Sequence, residues 1–389
     1  MRSLRFRQWL TVAMLLVLPA LASAQEATLS GSVADSTGGA LPGVTVRAVH
    51  EASGNSFEAV TDERGGYRIA ARVGTYRVTA DLAGFAPVTR TVTLLVGQEA
   101  VVNVQMAVSG VQESVTVTGE APLLDVTQSS LSGNVDPRQL QELPVQGRNW
   151  LDLVMLAPGS KVNAVPETGQ VSAVGAVGSR IGGDFSINVD GQQVTMHMGA
   201  GAHEPHFSKD VIAEFEFVSS RFDATQGRSS GMQINAITKS GTNTPSGSFS
   251  GYFRNDRFNA ADHVAKRVLP YNDKQFSGTV GGPIRKDKVH FFANYEYELE
   301  PLTIAYTTPY PRFNLDFADD HIDKKGGGRM DVQFSPRIRM TIRGSAWKNS
   351  VPESGSAQST PSSRSISVNS SKQLLATLTQ VRSQIFCFL

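Results

Sequence analysis

The stretch Met330-Asp331-Val332-Gln333-Phe334-Ser335-Pro336-Arg337-Ile338-Arg339-Met340-Thr341-Ile342-Arg343 decides the fold. Successive side chains of an extended chain point to opposite faces, so Met330, Val332 and Phe334 share one face, and Asp331 and Gln333 the other. The alternation resumes with Ile338, Met340 and Ile342 against Arg339, Thr341 and Arg343, and Ser335-Pro336-Arg337 is short enough to reverse the chain. The pattern predicts a hairpin with one wholly apolar face and one charged face. A soluble β-sandwich alternates in the same way, so the flanking sequence must choose between water and lipid.

Upstream, His290–Glu298 sets Phe291, Ala293, Tyr295 and Tyr297 on one face and Phe292, Asn294, Glu296 and Glu298 on the other. The links at 282–288 and 335–337 are tight, whereas 299–326 reads as a long loop rich in Pro, Asp and Tyr. Charges facing inward, aromatic groups facing outward, and short turns at one end with long loops at the other are the construction of an outer-membrane barrel. Tyr252, Tyr297 and Trp347 are candidates for its aromatic girdle.

The beginning of the chain agrees. Arg2, Arg5 and Arg7 precede an apolar run from Trp9 to Leu21 and an Ala22-Ser23-Ala24 ending, which reads as a cleaved secretory signal over residues 1–24. Its apolar core falls short of the ~20 residues of a spanning helix, and no later stretch is long and apolar enough, so any membrane crossing must use strands. Composition excludes other classes. A net charge of +1 argues against a nucleic-acid binder held by phosphate contacts, and the single Cys387 permits neither an internal disulfide nor a cysteine-rich zinc site.

Residues 25–107 read as a small antiparallel β-sandwich, with strands at Leu29–Val33, Val44–Val49, Tyr67–Ala70, Tyr76–Ala80 and Val101–Val104 and a turn at Asp35–Gly39. Residues 108–243 read as a mixed α+β unit. Asp136 caps a short helix that has Pro137 at its first position, Asn149–Leu156 forms another, and Phe185–Val189 alternates into an Asp190-Gly191 turn. Residues 244–389 carry the alternating strands.

Two resemblances attach to these segments. Leu41-Pro42-Gly43-Val44, Thr61-Asp62-Glu63-Arg64-Gly65-Gly66-Tyr67, Gly74-Thr75-Tyr76-Arg77-Val78 and Ala83-Gly84-Phe85 resemble the carboxypeptidase regulatory-like domain, in order. That name is not an activity, and the segment offers neither a nucleophile nor a metal set. Leu143-Pro144-Val145-Gln146-Gly147-Arg148-Asn149-Trp150, Ala157-Pro158-Gly159, Asn188-Val189-Asp190-Gly191 and Ile237-Thr238-Lys239-Ser240-Gly241-Thr242-Asn243 resemble the plug of TonB-dependent outer-membrane receptors. The pattern continues through Tyr252-Phe253-Arg254-Asn255-Asp256 and Gly278–Lys288 into the barrel. The resemblance is to the Oar-like group, which carries the regulatory-like domain in front. Met232 departs from the glycine usual beside Gly231.

The resemblance implies a mainly β protein: a sandwich, an α+β plug and the first strands of a transmembrane barrel. It also implies active transport of an unidentified substrate, driven by TonB with ExbB and ExbD. Glu113, Ser114, Val115, Thr116 and Val117 form a β-prone segment with the extended backbone that strand addition to TonB needs, although a strand of the plug or of the sandwich would read alike. Met196, His197, Met198, His203, Glu204 and His206 crowd one loop. Thioether with imidazole suits copper, and imidazole with carboxylate suits zinc or iron, so the loop is a candidate for substrate or metal capture.

Enzyme signatures fail. His203-Glu204-Pro205-His206 is one residue short of H-E-x-x-H, and Pro205 forbids the helix that would align both imidazoles. No cofactor is indicated, and Lys286 and Lys288 read as solvated turn charges. A non-transporting surface adhesin built on a β-sandwich is the competing reading. Residues 244–389 suffice for about six strands of roughly ten residues, below the smallest barrel of about eight. The sequence therefore reads as an N-terminal piece of a longer receptor, and the loss of alternation after Arg382, around Cys387, reads as a truncated or frameshifted end.

Overall fold

The computed structural model describes residues 27–109, 131–143, 145, 148–156, 163–164, 171–172, 186–194, 206–219, 232–261, 263, 266–306, 312, 315–353 and 365–380. The signal segment, residues 113–117, the loop through His203 and Glu204, and Cys387 lie outside them.

The first unit contains β1 (Ala27–Asp35), β2 (Thr45–His50), β3 (Ser56–Val60), β4 (Gly66–Ala71), β5 (Gly74–Asp81), β6 (Val88–Leu94), β7 (Glu99–Val101) and β8 (Val104–Met106). One sheet runs β3-β2-β5-β6; the other runs β4-β1-β7, with β8 also on β1. The period-two pattern makes the sandwich: Tyr76, Val78 and Ala80 point inward from β5 and meet Leu29, Val46, Ile69, Leu94 and Met106. Asp35 closes its turn by accepting hydrogen bonds from the backbone N–H groups of Thr37 and Gly39, each at 2.8 Å.

Two sequence expectations change here. The sandwich is not wholly antiparallel, because β7 and β8 run parallel to β1. After β6 the chain crosses to the other sheet and re-enters beside β1 in the same direction. The strand expected over Val101–Val104 is also broken in two. At the break the Asn103 side chain takes over the ladder, its Oδ1 accepting from the Ser32 N–H at 2.9 Å.

The second unit is a five-stranded sheet ordered β13-β12-β15-β14-β9, from β9 (Leu131–Val135), β12 (Ser186–Val189), β13 (Gln192–Gln193), β14 (Ile212–Ser219) and β15 (Met232–Thr238). The short β10 (Asn163–Ala164) and β11 (Val171–Ser172) pair with each other. Helix α1 (Pro137–Glu142) starts as expected: Asp136 accepts from the Arg138 and Gln139 N–H groups, and the Gln139 side chain returns to the Asp136 N–H, a complete capping box. The Asn149–Leu156 segment is a 3-10 helix over Trp150–Leu156, and Trp150 stacks edge-on to Phe215 at 5.2 Å. The β12–β13 turn has φ of 51° at Asp190 and 81° at Gly191, the two positive angles that an Asp-Gly hairpin turn requires.

The third unit is an antiparallel meander, β16 (Ser246–Asn255), β17 (Asn272–Arg285), β18 (Val289–Tyr306), β19 (Leu315–Ser335), β20 (Ile338–Glu353) and β21 (Ser365–Gln380), in sequential order. Six strands match the number expected, and among the described residues β16 and β21 each keep one unpaired edge. Phe249, Phe253, Val280, Tyr295, Phe334, Leu374 and Leu378 are exposed on the outer face, whereas Gln275, Glu296, Asp323, Arg329, Asp331 and Arg343 are buried on the inner one.

The strands are longer than expected. β18 has 18 residues and β19 has 21, against the ~10 needed to cross a bilayer. The supposed loop over 299–326 is mostly strand, because 299–306 pair without interruption with 315–322 and only 307–314 connect them. The segment is polar in sequence, so it mimics a loop while the ladder continues. Trp347 and Tyr252 are also not girdle residues. Trp347 pairs with Lys325 and Tyr252 with Gln275, so both belong to the inner face. Tyr297, opposite the outward Phe276, stays on the lipid side.

Candidate functional site: the plug–barrel interface

The inner face of the meander holds the plug sheet by buried charge. Arg329 of β19 donates through Nη1 to Asp190 Oδ1 at 2.9 Å and to the Thr238 carbonyl at 3.0 Å. Its Nε donates to Asp331 Oδ2 at 3.0 Å and its Nη2 to Asp331 Oδ1 at 3.1 Å, a forked pair that fixes the guanidinium plane. Arg343 of β20 pairs with Asp190 Oδ2 at 3.2 Å and donates through Nη2 to Gln192 Oε1 at 2.8 Å. Asp190 is further fixed from its own sheet, accepting from the Thr238 N–H at 2.9 Å and its hydroxyl at 2.7 Å. Removing such charges from water is costly unless every one is paired, and here the pairing joins plug to wall.

A second cluster lies farther along the same wall. Lys325 Nζ faces Glu296 Oε1 at 2.8 Å, Asp323 Oδ2 at 3.4 Å and Glu298 Oε2 at 3.5 Å. From the plug, Ser208 donates to Glu296, and His206 Nδ1 meets Asp323 Oδ2 at 2.8 Å while its ring packs on Trp347 with centroids 4.8 Å apart. The candidate loop thus contributes one described residue, His206, and it is spent on the wall. Among the described residues no cluster of His, Cys, Asp or Glu is arranged to hold a metal ion.

Two motif residues act at the edges of the interface. Arg148 pairs with Asp210 at 2.8 Å and lays its guanidinium over the Tyr252 ring at 3.9 Å. Asn243 donates to Asp287 Oδ1 at 2.6 Å and accepts from the Asp287 N–H at 2.9 Å, tying the end of the plug to the first short turn. The sequence marked Arg148, Asp190 and Asn243 only as parts of motifs, and the roles of Arg329, Asp331 and Arg343 were missed. Their signal was available: a charged residue at an inward position of a membrane strand needs a partner, and the plug is what lies inside.

Outside the six-stranded meander, burial sets the titration of two groups. Glu214 on β14 is pushed up to about 7, chiefly by desolvation, with Asp136 adding to the rise and the Val96 N–H opposing it. Burial holds the Lys239 ammonium below its usual range.

Known proteins agree with this architecture. Residues 28–107 match the carboxypeptidase regulatory-like domain, and residues 237–315 match an outer membrane beta barrel domain. The chain therefore carries a segment similar to a regulatory-like sandwich, followed by strands similar to those of an outer membrane beta barrel domain. It is similar to the TonB-dependent transporter Oar of Myxococcus xanthus, with 28% identity over 305 residues. That alignment covers 73% of this chain and 28% of the relative, so the chain spans just over a quarter of the relative's length. Among solved structures, the outer membrane transporter YddB from Escherichia coli superposes with a TM-score of 0.48 at 14% identity, covering 64% of this chain and 37% of that one. The siderophore receptor PirA from Acinetobacter baumannii gives 0.46 at 18% identity, covering 58% and 32%.

Proposed function

We propose that this chain forms the sandwich (25–107), the plug (108–243) and the first barrel strands (244–389) of a TonB-dependent transporter. The observation that supports this reading best is the Asp190–Arg329–Arg343 set, a buried ionic contact between a globular sheet and the inner wall of a membrane meander. An adhesin would have no use for a plug held by charges that can separate and re-form. In this reading TonB, energised by ExbB and ExbD, adds its strand to Glu113–Val117 and pulls on the plug. Substrate meets the outer loops and the Met196–His206 segment, and residues 1–24 direct export and are removed.

The test is Val115→Pro, which deletes one backbone donor from the segment. Capture of the full chain by the TonB C-terminal domain is expected to be lost, and unchanged capture refutes the assignment. For the loop, calorimetric titration with copper and zinc that shows no binding tighter than ~100 µM discards metal capture.

A further inference from the structure

We propose that the N-terminal sandwich is a latch that holds the plug in place from the periplasmic side; the inference rests on the transport reading above. The sandwich is not merely tethered. Its 50–57 loop sits on the short-turn rim of the barrel: Asn55 Nδ2 donates to the Asp287 carbonyl at 3.0 Å, the Ala52 carbonyl accepts from the Asn243 N–H at 2.9 Å, and the Ser56 carbonyl accepts from Gln333 Nε2 at 3.1 Å. Arg339 lies over the Phe57 ring at 5.2 Å. Its 95–98 loop sits on the plug instead. The Val96 N–H donates to Glu214 Oε1 at 2.5 Å, and the Val96 carbonyl accepts from Asn134 Nδ2 at 3.1 Å.

Between these two footholds Arg72 reaches the ionic network, its Nη2 3.2 Å from Asp331 Oδ2. Asp331 is the carboxylate that orients Arg329, and Arg329 holds Asp190 and Thr238 of the plug. One chain of paired charge therefore runs from the half-buried Arg72 of the sandwich through the wall to the plug. Undocking the sandwich leaves Asp331 with less positive charge and loosens its grip on the geometry of Arg329.

The glycines show that both loops are shaped for contact. Gly54 and Gly97 have φ of 68° and 71°. A Cβ on Gly54 would overlap the Asp287 carboxylate, and one on Gly97 the Glu216 carboxylate. Gly43 has nearly the same φ, 75°, yet a Cβ there would meet nothing within 4 Å. Alanine at Gly43 carries the same backbone strain without the collision, which makes it a matched control.

The test is hydrogen exchange by mass spectrometry on the full chain in detergent, comparing Gly54→Ala/Gly97→Ala, Arg72→Gln and Gly43→Ala. A latch predicts that exchange in 186–194 and 232–238 accelerates about tenfold in the first two and stays unchanged in the third. Protection of β5 reports that the sandwich remains folded; if the double variant loses it, Arg72→Gln, which leaves both loop backbones intact, decides alone. Faster exchange confined to the 50–57 and 95–98 loops overturns the proposal, as does no acceleration at all or equal acceleration in Gly43→Ala. Neither TonB nor substrate enters the measurement, so a failed TonB capture leaves it readable.

Discussion

Arg329 on the barrel wall and Asp190 in the plug's hairpin turn form an ion pair at 2.9 Å in which each side chain is only 7% exposed. A pair so buried contributes little net energy against an apolar replacement, but breaking it leaves a naked charge. Asp190 has two arginines to satisfy, so its loss strands both.

Asp190→Ala is therefore expected to lower stability by about 3–5 kcal/mol, measured by denaturant unfolding of the plug signal. Asp190→Asn keeps the acceptor oxygen for Thr238 and is expected to cost less. Equal, near-zero effects of both would show that the pair does not hold the plug.

The packing around Glu214 is expected to weaken as pH rises. Glu214 is raised to about 7 from an ordinary 4.5, chiefly by burial, so the folded state binds the proton more tightly than the unfolded state. Its contribution is complete below pH 4.5 and is lost as pH rises through about 7. Hydrogen exchange of the 95–98 loop should be slower at pH 5 than at pH 8 after correction for the intrinsic rate. Glu214→Gln, permanently neutral, should remove that difference.

Trp347 is expected to be hidden from lipid. In a variant that keeps only this tryptophan, brominated acyl chains should leave its emission unchanged, while a reporter at Phe253→Trp, on the exposed outer face, should be quenched. Truncation by Trp347→Ala should cost about 3 kcal/mol, because the cavity opens inside the barrel beside His206.

The capping box at Asp136 offers a local test. Asp136→Ala removes the acceptor for two N–H groups and should cost about 1 kcal/mol, whereas Asp136→Asn should cost only a few tenths. Thermal unfolding of the plug checks both.

Much of this protein was legible before folding was considered. Period-two alternation at 290–298 and 330–343 defined membrane strands and assigned their faces correctly, because an isolated strand already separates its two sets of side chains. Asp136, Pro137 and Asp190-Gly191 are local devices, and each acts where the sequence put it. Trp347 was misread although its odd position matches Arg339 and Arg343, since an aromatic near a strand end suggests a girdle more readily than it suggests parity. The long pairing over 299–326 was missed because hydropathy cannot distinguish a polar strand from a polar loop.

The sequence by itself determined a mainly β chain and the outward face of the strands at 290–298 and 330–343, which follow from near-neighbour spacing and solvent preference, while the remaining length set the count of about six strands. Only the tertiary structure decided which charges meet. Asp190 and Arg329 are 139 residues apart, and Arg72 lies farther still from Asp331. No local pattern encodes such pairings; they arise because a charge removed from water must find whichever opposite charge the folded sheets bring within reach.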